Sequence, residues 1–134
     1  MTTSNTKDYD LTFDSYQSAA TATAIYPGRN EIEGLMYAAL GLAGEAGEVA
    51  NKIKKVWRDD AGFEYRDHAF GGLTVEYHDR FKKDLQAELS DILWYVAALC
   101  NELGISMEQG AHDNLSKLES RQRRGVLGGS GDAR

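Results

Sequence analysis

The chain has 134 residues, 42% of them apolar, and a formal net charge of −6. It is sized for one globular domain, and its acidity argues against a general nucleic-acid or membrane-surface binder. A single cysteine, Cys100, excludes an intrachain disulfide and fits a reducing cytoplasm; there is no apolar run of ~18 residues, and MTTSNTKDYD lacks the blocks of a signal peptide.

Residues 1–11 read as a flexible tail, 12–124 as the domain and 125–134 as a glycine-rich tail. The first helix is expected from Thr12 to Ile25, capped by Thr12 and stopped by Tyr26-Pro27-Gly28. A second helix is expected from Ile32 to Trp57. Its apolar residues Leu35, Ala39, Leu42, Ala46, Val49, Ile53 and Val56 alternate at spacings of 4 and 3, a heptad seam for a partner helix. Residues 58–74 mix charges, aromatics and Gly-Gly and read as an ordered loop or small hairpin. The third helix begins between Val75 and Arg80 and ends near Leu103-Gly104, with a seam of Leu85, Leu89, Ile92, Val96, Leu99 and Leu103. A fourth starts at Ser106, where Gln109 completes a capping-box pattern, and ends near Arg121–Arg124. The fold class is therefore all-α, a helical bundle built on two long antiparallel helices.

The second helix carries GLAGEAGEV at 41–49, with three glycines that each cost ~1 kcal/mol relative to alanine. Beside them stand Glu45 and Glu48. The third helix carries Glu88 and Asp91. At about 100° per residue, both pairs flank their seams on the same side. Two facing antiparallel helices are related by a two-fold axis that keeps a given flank on one edge, so all four carboxylates gather there. If the third helix starts at Arg80, the pairs sit within one residue of level. If it starts at Val75, they are offset by about four residues, or ~6 Å.

Four crowded carboxylates need cations. Lys52 and Lys55 supply part of the balance. Hard divalent metals answer better, because Mg²⁺ takes oxygen ligands and keeps waters that a substrate can replace. Gly34, Ala38 and Gly41 lie on the acid flank and leave room for a ligand or a close helix, while Gly44 and Gly47 fall on the far side, toward another subunit. Tyr95 lies on the acid edge, where it could touch a nucleotide or serve as a half-buried structural tyrosine. Lys52, one turn past Glu48, could touch phosphate or only balance the acids. The three histidines show no ligand spacing, and the absence of Glu-x-x-His argues against a di-iron bundle.

GLAGEAGEVANKIKK followed by AELSDILWYVAAL resembles the all-alpha nucleoside triphosphate pyrophosphohydrolases, the MazG-like group, over roughly residues 30–122. The signature of that group is Glu-x-x-Glu, a spacer, then Glu-x-x-Asp, matched here by Glu45, Glu48, Glu88 and Asp91. The spacer of 39 residues between Glu48 and Glu88 is long for the group and bears on the shape of the substrate mouth. The resemblance implies Mg²⁺, with Mn²⁺ as a substitute, at these four acids. It also implies hydrolysis of an NTP or dNTP to the monophosphate and pyrophosphate, with Glu45 or Glu48 orienting the water, and assembly as a homodimer or homotetramer. From the family's Asn…Lys…Arg pattern, Asn114, Lys117 and Arg121 on one face of the last helix are carried over as substrate contacts; an exposed polar face is the competing reading. Two other functions remain open: a non-enzymatic helical interaction module, and a related pyrophosphohydrolase acting on phosphoribosyl-ATP.

Overall fold

The computed structural model describes residues 10–59 and 75–128. Helix α1 spans Phe13–Ala22, α2 Ile32–Asp59, α3 Val75–Glu102 and α4 Met107–Arg123, with no strand among the described residues. The expected all-α class holds. Of the expected 58–74 connection, residues 58 and 59 belong to α2, and the rest lies outside the described residues, as do 1–9 and 129–134.

Thr12 caps α1 as expected, in a reciprocal capping box with Ser15. The helix stops three residues earlier than its sequence pattern suggests. Thr23 leaves the helical ladder and its hydroxyl accepts the Trp94 indole N–H at 2.8 Å. The chain then turns through Gly28 and Asn30, both with positive φ. Glu102 at the end of α3 holds this turn: its two oxygens accept from the Tyr26 hydroxyl at 2.6 Å and from the Asn30 amide at 2.7 Å. Tyr26 also stacks on Tyr37, with ring centroids 4.9 Å apart, and meets Trp94 edge-on.

Burial, then the hydrogen bond to Glu102, pushes the Tyr26 phenol up to about 12 from 10.0. A group with a raised folded pKa stabilises the fold fully below its unfolded value and loses that contribution as pH rises through the folded one. The stability against urea is therefore expected to fall between pH 10.0 and about 12, and Tyr26→Phe to flatten that fall.

The α2–α3 pair is an antiparallel hairpin, seen in its ladder of neighbours. Gly34 lies against Glu102, Gly41 against Tyr95, and Lys52 against Asp84 and Glu88. The face α2 offers to α3 is the expected heptad seam turned toward its small-residue flank. Gly34 and Ala38 of the flank and Val56 of the seam are buried, Leu35, Leu42 and Val49 of the seam are half-buried, and Ala39, Ala46 and Ile53 are exposed. The flank comes closest to the partner helix, since the Tyr95 ring occupies the space where a Cβ of Gly41 would stand. The helices approach closely there, and the acid flank is drawn inward.

Helix α1 packs on α3 and on the start of α4 through Ala20, Ala97 and Met107, with Tyr16, Val96 and Cys100 around them. Cys100 is a half-buried packing residue whose thiol is pushed up by burial. The chain enters α4 through Gly104, and Ser106 caps that helix by accepting from the Gln109 amide at 3.0 Å. The side chain of Gln109 turns to Asp113 at 2.9 Å. Gln17 of α1 completes the cap, accepting from the Met107 amide at 2.8 Å and donating to the Ile105 carbonyl at 2.9 Å. Among the described residues, no helix is long and apolar enough to cross a membrane.

Candidate functional site

The hairpin brings Glu45, Glu88 and Asp91 together. One carboxylate oxygen from each lies within 4.8 Å of the others. The larger offset expected for a third helix starting at Val75 is partly taken up because α2 runs two residues further than its pattern suggests, to Asp59. Glu45 and Glu88 are half-buried and Asp91 is exposed. Glu48, about one turn on, is exposed and outside this trio, yet its charge still acts on Glu45.

The acids are unequal. Burial pushes the Glu45 carboxyl above its ordinary range, and Asp91, a hydrogen bond to Glu88 and the charges of Glu88 and Glu48 push the same way. Glu88 is held below its range, chiefly by Lys52, whose Nζ lies 2.7 Å from Oε1. Lys52 also donates to the Asp84 carbonyl at 3.2 Å. One lysine offsets one of the three carboxylates.

The donor set is all oxygen, which suits a hard cation such as Mg²⁺, Mn²⁺ or Ca²⁺ better than zinc. Around octahedral Mg²⁺, neighbouring oxygen ligands stand about 3 Å apart and opposite ones about 4.2 Å apart. Three carboxylate oxygens within 4.8 Å of one another have only to draw together to share one ion, so the residues present fit a divalent cation.

Tyr95 lies at the acid edge as expected. Burial raises its phenol, followed by Tyr37 and then by Glu45 and Asp91. Tyr16 of α1 approaches Asp91 from another side; its phenol is raised by burial first and by Asp91 second. Two neutral phenols thus neighbour the most exposed of the three acids. On α4, Asn114 and Lys117 are exposed, and half-buried Arg121 donates from Nε to the Val126 carbonyl at 3.4 Å. Helix α4 packs on α1 and α3 and makes no contact with α2 among the described residues. Lys52 and Tyr95 are therefore part of the acid site within one chain, while the α4 trio belongs to a different helix pairing.

A family model described as the MazG nucleotide pyrophosphohydrolase domain matches residues 36–126, a span that includes all four acids. The chain belongs to the MazG family. A curated relative of this MazG domain, the Gene 37 protein of Mycobacterium phage L5, is 50% identical over 124 residues, covering 90% of this chain and 97% of that protein. No solved structure matches. Family membership supports a nucleotide pyrophosphohydrolase, and the acid trio gives it a metal-binding geometry. The MazG match begins within α2, so α1 and the Glu102-bound turn lie outside it. Sequence reasoning assigned no part to Glu102: a lone glutamate at a helix end carries no signal until the turn it holds is known.

Proposed function

We propose that the chain hydrolyses a nucleoside triphosphate, NTP or dNTP, to the nucleoside monophosphate and pyrophosphate, with Mg²⁺ held by Glu45, Glu88 and Asp91 and by Glu48 at the open side. The observation that carries this reading is the convergence of three carboxylates from two helices inside a MazG domain. A bound cation would neutralise the phosphates and lower the pKa of a bound water. In the reaction, the water oxygen bonds to the α-phosphorus, the bond from that phosphorus to the oxygen bridging it to the β-phosphate breaks, and pyrophosphate leaves with the electron pair. Glu45 or Glu48 orients the water and takes its proton. Lys52 keeps Glu88 ionised and stands where it can meet a phosphate oxygen. Tyr95 presents a neutral hydroxyl at the acid edge for the nucleoside. Asn114, Lys117 and Arg121 share one face of α4 and are proposed to reach substrate phosphates.

A second copy of the chain is part of this reading. Met36, Leu40, Gly44 and Gly47 form one stripe on α2 at spacings of 4, 4 and 3. Leu40 is 70% exposed, and a Cβ at either glycine would meet nothing within 4 Å. Helical glycines with open space around them are costly unless another backbone comes close. Light scattering is expected to give a homodimer or homotetramer; a monomer at micromolar concentration removes this part.

Pyrophosphate release from a panel of NTPs, dNTPs and phosphoribosyl-ATP tests the activity. Release from at least one nucleoside triphosphate is expected with Mg²⁺, and loss of it with chelator, with Mn²⁺ as a substitute. Silence on every nucleotide would favour a helical interaction module. Turnover of phosphoribosyl-ATP alone would redirect the reading to that substrate.

A further inference from the structure

The charged edge of the hairpin does not end at the acids. Helix α2 continues eleven residues past Glu48 to Asp59, and α3 begins thirteen residues before Glu88 at Val75. That adds about three turns beyond the acid level. On α2, Glu45, Glu48, Lys52 and Lys55 recur at spacings of 3, 4 and 3; on α3, Arg80, Asp84, Glu88 and Asp91 recur at 4, 4 and 3. Each set is one stripe of its helix. Along the α2 stripe the charge reverses from acid to base.

At the basic end, Lys52, Lys55 and Arg80 line a pocket of about 260 Å³ together with Asp84 and the buried Val56 and Phe81. Three cations thus face a single carboxylate in the lining. Asp59, the next acid along α2, is engaged by Arg58 at 2.6 Å. Lys52 joins the two regions, since it both lines the pocket and touches Glu88.

We propose that this pocket binds the terminal phosphates of the substrate, the part that departs as pyrophosphate, with Lys55 and Arg80 as its anion ligands. The inference rests on the triphosphate reading above. With the α-phosphorus at the acids, the rest of the triphosphate must run one way along the hairpin. Toward α2's N-terminus it would meet Tyr95 over Gly41, with Tyr37 beside it, a surface of rings. Toward α2's C-terminus it meets Lys52, then Lys55 and Arg80. Side chains on a helix lean toward its N-terminus, so both lysines lean toward the acids. Arginine adds a planar fork suited to phosphate oxygens. Cations placed there meet the charge that grows on the leaving group as the bond breaks. The long spacer between the acid pairs acquires a use: it supplies the helix turns that carry the pocket.

The test uses the full chain and inorganic pyrophosphate as probe, measured by titration calorimetry in Mg²⁺ buffer beside steady-state hydrolysis. Lys55→Gln/Arg80→Gln is expected to weaken pyrophosphate binding by about tenfold or more and to raise KM for the triphosphate similarly. Lys54→Gln/Lys83→Gln removes the same charge outside the pocket and is expected to leave both within about twofold. The proposal is overturned if the pocket variant binds pyrophosphate like wild type, if the control variant loses as much, or if wild type binds none. Should wild type split no nucleotide yet hold pyrophosphate through Lys55 and Arg80, the reaction reading fails and the anion pocket stands. Should hydrolysis proceed with both substitutions silent, the pocket fails and the reaction stands.

Discussion

Asp91→Asn is expected to cut pyrophosphate release by about 100-fold or more while leaving the helices folded. The carboxylate is exposed and lies between Glu45 and two phenols. Removing its charge relieves repulsion in the metal-free protein, so thermal stability without metal should hold or rise. The stabilisation that Mg²⁺ confers should shrink. A cation at 100 times its dissociation constant adds about 2.7 kcal/mol to a folded state, and a lost ligand removes most of that. Thermal denaturation with and without Mg²⁺, beside the activity assay, checks both halves. Full activity in Asp91→Asn would mean that the acid trio is not the catalytic metal site. Glu48→Gln then separates two roles for the outlying acid. Loss of Mg²⁺-induced stabilisation makes it a ligand, whereas lost turnover with stabilisation intact makes it the group that orients water.

Gly41→Ala is expected to destabilise the protein, although alanine is the better helix former by ~1 kcal/mol. The new methyl would overlap the ring of Tyr95. Overpacking of this kind costs about 1–3 kcal/mol, and the rigid ring gives way only if α2 and α3 separate. Each kcal/mol corresponds to about 3–4 °C in melting temperature for a domain of this size. Gly41 is one turn from Glu45, so separation also widens the acid trio, and metal affinity should fall with stability. Gly110 on α4 is the matched control. A Cβ there meets nothing within 4 Å, so Gly110→Ala should stabilise by up to ~1 kcal/mol. Equal behaviour of the two variants would remove Gly41 from its assigned place under the ring. Restoring space through Gly41→Ala/Tyr95→Ala should recover part of the metal affinity, while Gly41→Ala/Tyr95→Phe should not.

Local patterns determined much of this protein. The heptad spacings mark α2 and α3, Thr12 and Ser106 mark the starts of α1 and α4, and the two acid pairs carry the MazG signature. These features depend on residues within a turn or two of each other, so the chain alone displays them. The antiparallel argument also puts both acid pairs on one edge; the structure brings Glu45, Glu88 and Asp91 together there and leaves Glu48 outside the trio.

Tertiary structure decided which face of α2 meets α3. Periodicity marks an apolar stripe and its small-residue flank, but it does not say how far the partner will be turned toward the flank. The Tyr95 ring fits over Gly41 and draws in the flank, so that Ala39, Ala46 and Ile53 are left exposed while Leu35, Leu42, Val49 and Val56 of the same stripe stay partly or fully buried. The stop of α1 at Thr23, the Glu102 hold on the Tyr26 turn and the pocket that Lys55 and Arg80 line from opposite helices were decided the same way. Each joins residues far apart in the chain, and the strength of such a contact depends on shape and distance, which appear only once the helices have docked.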